Sequence, residues 1–268
     1  MVCLLDATSN RRWPALLPEF NQLRPALMRL PRLPDLLTTA NLCCGVASIL
    51  LASQGQLTIA CWLIFLAALF DVFDGLAARA LGGGTPLGAQ LDSLADMVSF
   101  GVAPAYAVWV LSAPVPRTDL LLVGAAVACI CIASAWRLAK FNVDTRQSDS
   151  FRGLPTPASA LWVISIPLMI EYMPFHIWWE PENVIVDKWF VVGSAIGLSA
   201  LMVSDIPLLA MKFKSFGLKG NEFRYALLII SVVLLIILRP LAIPIVLSLY
   251  VLLSIVNNLF NTSNEIQS

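Results

Sequence analysis

Charge is scarce in this chain, and histidine scarcer. Asp, Glu, Lys and Arg make up 13% of its 268 residues, about half the share of an ordinary soluble domain. Hydrophobic residues make up 59%, and the mean hydropathy is +0.81. That balance excludes a typical water-soluble globule. The one histidine, His176, leaves no imidazole pair for acid–base work and no Cys/His zinc site. The six cysteines (Cys3, Cys43, Cys44, Cys61, Cys129 and Cys131) lack zinc-ligand spacing and read as small apolar residues. The net charge is zero and the basic residues fall in short loops, which excludes a nucleic-acid surface and leaves anionic lipid as their natural neighbour.

Apolar runs take the place of charge. They cover residues 36–53, 57–70, 120–136, 157–170, 189–204, 225–238 and 240–256, with an eighth at 88–114 that carries Asp92 and Asp96 near its start. A helical span needs about 20 residues, so several runs borrow their flanks. Membrane strands would show alternating segments of about ten residues instead. The expectation is an all-α, polytopic integral membrane protein of about eight transmembrane helices. It divides into an N-terminal segment (1–35), a membrane domain (36–258) and a polar tail (259–268). In residues 12–33, Trp13, Leu16, Leu17, Phe20, Leu23 and Leu27 alternate with Arg24, Arg29 and Arg32, the pattern of an interfacial amphipathic helix broken by Pro18 and Pro25. The first long run is a span rather than a cleavable signal.

With both termini cytoplasmic, eight spans put fourteen Lys and Arg residues on the cytoplasmic side and leave Arg117, Lys188 and Arg239 outside, as the positive-inside rule favours. Two minor features remain. Gly193 and Gly197 form a small-xxx-small pair, suited either to packing within the chain or to a dimer seam. Residues 173–187, with Trp178 and Trp179, read as an external interfacial loop.

The exception to the apolar rule is DVFDGLAARALGGGTPLGAQLDSLADMVSFG, residues 71–101. Asp71 and Asp74 stand three apart and Asp92 and Asp96 four apart, so each pair shares one helix face. Gly82, Gly83, Gly84 and Pro86 break the chain between them, which makes a helical hairpin with a third helix starting near Gly88. Each carboxylate costs roughly 2.5–3.5 kcal/mol at bilayer depth, and four together repel. Hard divalent cations resolve both penalties and suit an all-oxygen donor set. Gly75 and Ala78 leave room beside the first face, and Arg79 can hold a phosphate through two hydrogen bonds. Metals, a glycine-lined groove and one arginine fit phosphate chemistry.

These residues resemble the signature of the CDP-alcohol phosphatidyltransferases, D-x2-D-G-x2-A-R followed after seven or eight residues by G-x3-D-x3-D. Asp71, Asp74, Gly75, Ala78, Arg79, Gly88, Asp92 and Asp96 fill every fixed position. The resemblance implies that Asp71, Asp74, Asp92 and Asp96 bind two divalent ions, Mg²⁺ or Mn²⁺, and that Asp96 is also the general base. It implies that Gly75, Ala78, Arg79, Thr85 and Gly88 face the CDP moiety of CDP-diacylglycerol. The family also uses a P-N-x-x-T segment, here Pro34, Asp35, Leu36, Leu37 and Thr38. Asp35 departs from the commoner asparagine, and Asn41, one helical turn beyond Thr38, joins Asp35 and Thr38 as a candidate CDP contact. A homodimer is implied as well, in the plasma membrane of a prokaryote, with the active site cytoplasmic.

DSLADMVSFGVAPA (92–105), SAWRLAKFNVDT (134–145) and FRGLPTPASA (151–160) look like the serine-using members of that family. The resemblance therefore implies L-serine as the acceptor. Arg137, Lys140, Asn142 and Arg152 are the candidates for holding the acceptor or a lipid phosphate, although cationic residues at a helix end can also simply snorkel. Lys140 stands where an arginine is commoner. The same chemistry with glycerol-3-phosphate or an inositol phosphate is the nearest alternative. A cation-coupled transporter is the alternative from another class, disfavoured by the absence of an inverted repeat of the acidic motif.

Overall fold

The computed structural model describes residues 32–112, 117–143, 151–172, 188–208 and 222–267. The interfacial helix expected within 12–33 and the 173–187 loop fall almost wholly outside them.

Helix α1 (Leu33–Ser53) and helix α2 (Leu57–Ala80) form an antiparallel pair joined by a tight turn at Gly55. Small residues let them approach, and Ser48 Oγ donates to the Ala60 carbonyl at 2.8 Å across the seam. Past Ala80 the chain stops as glycine dictates. Gly82 takes φ +87°, and the Gly83 N–H returns to the Ala78 carbonyl at 2.9 Å, a Schellman closure. Helix α3 (Pro86–Asp96) starts two residues before the expected Gly88. Thr85 caps it, accepting from the Gly88 N–H at 2.9 Å, and Pro86 sits in the first turn, where its missing N–H costs nothing.

Beyond Asp96 the helix widens into a π segment, Met97–Val102, before continuing as α4 (Ala103–Leu111). Pro104 follows directly; its ring cannot pack against a regular preceding α-turn, and a widened turn accommodates it. Helix α5 (Arg117–Val143) runs back antiparallel. A strand pair, β1 (Phe151–Arg152) with β2 (Pro207–Leu208), then brackets helices α6 (Thr156–Tyr172) and α7 (Lys188–Val203). Helices α8 (Glu222–Leu238) and α9 (Ala242–Gln267) complete the chain, and α9 includes the segment read from the sequence as a polar tail.

Two apolar clusters hold these elements. One joins Val108, Val123, Ile130, Leu154, Val163 and Met202. The other centres on Phe100 of the π segment, with Ile64, Ala103, Ile164 and Leu168 around it. Large side chains such as Leu50, Trp62, Leu121, Trp136 and Ile236 point outward, as lipid permits. Small polar groups, including Ser48, Ser99 and Ser134, turn inward.

Among the described residues, eight helical segments occupy the eight runs in order, with the Pro86–Leu111 rod counted as one. Among the described residues, four are long and apolar enough to cross a membrane: Leu33–Ser53, Leu57–Ala80, Pro86–Leu111 and Leu121–Val143. The chain is thus a multi-pass membrane protein. Eight spans are not confirmed on length: among the described residues α6 and α8 have 17 residues and α7 has 16, against the about 20 typical of a span. The glycine pair of α7 also differs from one reading. A β-carbon at Gly193 or Gly197 would meet nothing within 4 Å, so the pair seats no neighbouring helix among the described residues.

Candidate functional site

The hairpin brings carboxylates from both arms together. Asp71 and Asp74 of α2 and Asp92 of α3 each offer an oxygen within 4.8 Å of the others. Asp74 is buried, Asp71 and Asp92 partly so. Asp92 Oδ1 is buried with no hydrogen-bond partner among the described residues. An orphaned carboxylate oxygen beside two more carboxylates is costly unless a cation fills the space. The donor set is all oxygen, so the residues fit a hard divalent ion.

Asp96 was expected among the ligands. It adjoins the group, interacting electrostatically with Asp71, Asp92 and Asp74, but it is not one of the three whose oxygens converge. Asp96 shares a side-chain hydrogen bond with Asp71, and Asn41 Nδ2 donates to Asp96 Oδ1 at 3.1 Å. Thr38 Oγ1 donates in the same way to Asp74 Oδ2 at 2.7 Å. Both side chains were expected at the nucleotide; in the structure each donates to a carboxylate. Nothing local in the sequence could reveal this, because the contacts span 36 and 55 residues.

The other candidate CDP contacts lie toward the connecting turn of the hairpin. The Arg79 guanidinium lies beside Gly75, 3.7 Å from where a β-carbon would stand, and Arg79 is exposed. Ala78 is half-buried on the same helix. A β-carbon at Gly88 would sit 2.9 Å from Asp35 Oδ1 and 3.1 Å from Thr85 Oγ1, so Gly88 lets Asp35 of α1 close over the start of α3. Thr85, Gly88 and Asp35 are therefore packed together, while no atom of the described residues comes within 4 Å of a β-carbon built on Gly82, Gly83 or Gly84.

Helix α5 lines the second side. A β-carbon at Gly101 would touch Ser134 Cβ at 3.1 Å, and Asn142 Nδ2 donates to Ser93 Oγ at 2.8 Å. Between these two contacts, on antiparallel helices, Arg137 stands near the level of residues 97–98, within about half a turn of Asp96. It is 4% exposed and stacks over Phe141 at 5.7 Å, so it does not snorkel. Lys140 does face outward, and its Nζ pairs with Asp205 Oδ1 at 2.6 Å. Arg152 lies in β1 with its side chain outside the described residues.

The FRGLP stretch proves to be a strap across the end of α7. Leu154 N–H donates to the Leu201 carbonyl at 3.0 Å and Gly153 N–H to the Ile206 carbonyl at 2.9 Å. Gly153 has φ +73°, and a β-carbon there would stand 2.5 Å from the Ser204 carbonyl oxygen.

A family model described as CDP-alcohol phosphatidyltransferase matches residues 32–203. The chain is 32% identical over 231 residues to the CDP-diacylglycerol–serine O-phosphatidyltransferase of Helicobacter pylori, covering 85% of this chain and 91% of that protein. It is 43% identical over 139 residues to the archaetidylserine synthase of Methanothermobacter thermautotrophicus, covering 51% of this chain and 58% of that one. Among solved structures, the phosphatidylinositol phosphate synthase of Mycobacterium tuberculosis with CDP-DAG bound aligns at a TM-score of 0.48 and 23% identity, over 67% of this chain and 88% of that chain.

Proposed function

The chain belongs to the CDP-alcohol phosphatidyltransferase family, and from that premise we infer that it transfers the phosphatidyl group of CDP-diacylglycerol to the hydroxyl of L-serine, giving phosphatidylserine and CMP. The observation that carries the chemistry is the convergence of Asp71, Asp74 and Asp92 from two hairpin arms, with Asp96 held beside them by Asn41. The names of the relatives supply the acceptor.

Asp71, Asp74 and Asp92 are the residues that would hold the divalent ions, Mg²⁺ or Mn²⁺. Such ions, when bound, neutralise the diphosphate and the charge that develops on the leaving CMP. Arg79, exposed beside the connecting turn of the hairpin with its guanidinium next to Gly75, binds the diphosphate. Asp96 takes the proton from the serine hydroxyl. The serine oxygen then bonds to the phosphorus that carries diacylglycerol, the bond from that phosphorus to the bridging oxygen breaks, and CMP leaves with the electron pair. Arg137, buried at the level of this carboxylate, is placed to hold the serine carboxylate. Positioning, with Asp96 as base, supplies most of the acceleration.

The site opens to the cytoplasm of a prokaryotic cell, as the distribution of basic residues favours. The eight helical segments are eight passes, the shorter ones lying in thinned or tilted lipid. The protein works as a homodimer.

The test is CMP release from CDP-diacylglycerol by the purified protein in detergent, with Mn²⁺ or Mg²⁺ and with L-serine, glycerol-3-phosphate, inositol phosphate or no acceptor. Release with serine alone is expected. Release with a phosphorylated acceptor alone would keep the chemistry and replace serine. No release with any acceptor would remove the transferase reading.

A further inference from the structure

Thr38 and Asn41 stand three apart on one face of α1, and each reaches a different arm of the carboxylate hairpin. Thr38, 3% exposed, donates to Asp74 Oδ2 on α2; Asn41, wholly buried, donates to Asp96 Oδ1 on α3. The helix itself is pinned at this level. Ser99 Oγ in the π segment donates to the Asn41 carbonyl at 3.0 Å. One turn further on, a β-carbon at Gly45 would stand 2.4 Å from Ser99 Oγ, so only glycine lets the backbones come this close.

The hydrogen inventory sharpens the reading. The Thr38 hydroxyl has one hydrogen and two acceptors, Asp74 Oδ2 at 2.7 Å and the Pro34 carbonyl at 3.0 Å. The nearer and charged acceptor wins it. Asn41 Oδ1 is buried with no partner among the described residues. The amide is therefore oriented by the bond to Asp96, since turning it over would set oxygen against carboxylate oxygen. Keeping a buried acceptor unpaired is costly, and the gain on the other side of the amide is a carboxylate held in one orientation.

We propose that α1 is the positioning element of the site: Thr38 holds Asp74 for the cation group, Asn41 holds Asp96 for proton transfer, and the two roles are separable. The proposal rests on the transferase reading above. It gives Thr38 and Asn41 no contact with the nucleotide.

The experiment uses the full chain in detergent and two readouts. Mn²⁺ binding is measured directly from the electron paramagnetic resonance signal of the free ion, and CMP release gives kcat and the KM values. Thr38→Val keeps the shape and removes the donor. Its Mn²⁺ affinity should fall about tenfold, the loss of one hydrogen bond to a charged group, and activity should recover as Mn²⁺ is raised. Thr38→Ser, which keeps the hydroxyl, should retain the wild-type affinity. Asn41→Leu, with Asn41→Ala as a second variant should leucine prevent folding, should bind Mn²⁺ like the wild type and keep its KM for CDP-diacylglycerol. Its kcat should fall about 10-fold to 100-fold, and added Mn²⁺ should not restore it.

A raised KM for CDP-diacylglycerol with unchanged Mn²⁺ affinity in Thr38→Val, or with unchanged kcat in Asn41→Leu, would make these residues nucleotide contacts and overturn the proposal. Equal loss of Mn²⁺ binding in both variants would overturn the separation of roles. A wild-type protein that binds Mn²⁺ but releases no CMP would instead remove the transferase reading, and with it the Asn41 half of the proposal, while the Thr38 half would still be decided by Mn²⁺ binding alone.

Discussion

Asn142 Nδ2 donates to Ser93 Oγ at 2.8 Å, joining the last turn of α5 to the residue that follows Asp92. The bond ties α5 to the arm that carries two of the four carboxylates. Asn142→Leu should lower kcat/KM about threefold to tenfold, as loss of one side-chain hydrogen bond predicts. Ser93→Ala should do the same, and the double variant should be no worse than the poorer single one, because both remove the same bond. CMP-release kinetics on the four proteins test this. Fully additive losses would show that Asn142 acts elsewhere.

The four aspartates should divide into two classes. Asp92→Asn removes one of the three converging carboxylates and should weaken Mn²⁺ binding. Asp96→Asn should lower kcat about 10²-fold to 10⁴-fold, the range for a general base, while Mn²⁺ still binds. Titration of both variants with Mn²⁺ decides the matter. Equal loss of binding in the two would make Asp96 a full member of the metal group.

Removal of metal should cost stability as well as activity. Asp71 is repelled by Asp92 and Asp74, and without a cation that repulsion is uncompensated. Chelation should therefore lower Tm, because a ligand that binds only the native state stabilises it. Asp71→Asn should stabilise the metal-free protein by about 1–3 kcal/mol through relieved repulsion, seen as a raised Tm, while removing the gain that Mn²⁺ confers. A thermal-shift assay with and without chelator measures both effects.

Gly153 should tolerate no side chain. Its φ of +73° and the 2.5 Å approach to the Ser204 carbonyl oxygen combine backbone strain with overlap against backbone. Gly153→Ala should destabilise by about 2–4 kcal/mol. Gly193→Ala is the contrast, since a β-carbon there meets nothing within 4 Å among the described residues and alanine is the better helix former by about 1 kcal/mol. It should leave Tm unchanged or slightly raised. Melting by fluorescence-detected size exclusion distinguishes the two.

Lys140 pairs with Asp205 with both side chains largely in the open, at 36% and 61% exposure. Such a pair contributes about 0–1 kcal/mol. Lys140→Gln should scarcely move Tm. Arg137 is the opposite case, buried and stacked on Phe141. Arg137→Lys should raise the KM for serine at least tenfold, because an ammonium replaces neither the planar stack nor the forked donor. KM values for serine in the two variants, measured at saturating CDP-diacylglycerol, rank the residues.

Much of this protein was determined by its sequence alone, wherever the governing physics is local. Runs without charge become helices because lipid offers the backbone no other partner. Asp71 with Asp74, and Asp92 with Asp96, share faces because the helix repeats every 3.6 residues, and Gly82 to Pro86 turn the chain between them. The tertiary structure decided what depends on residues far apart in the chain: that Thr38 and Asn41 hold the carboxylates, that Asn142 meets Ser93, that Lys140 is drawn to Asp205, and that a π segment follows Asp96. Donors in a lipid-embedded fold go to whichever acceptor packing brings within about 3 Å, and packing is set by how whole helices fit together, a property no short stretch of residues contains.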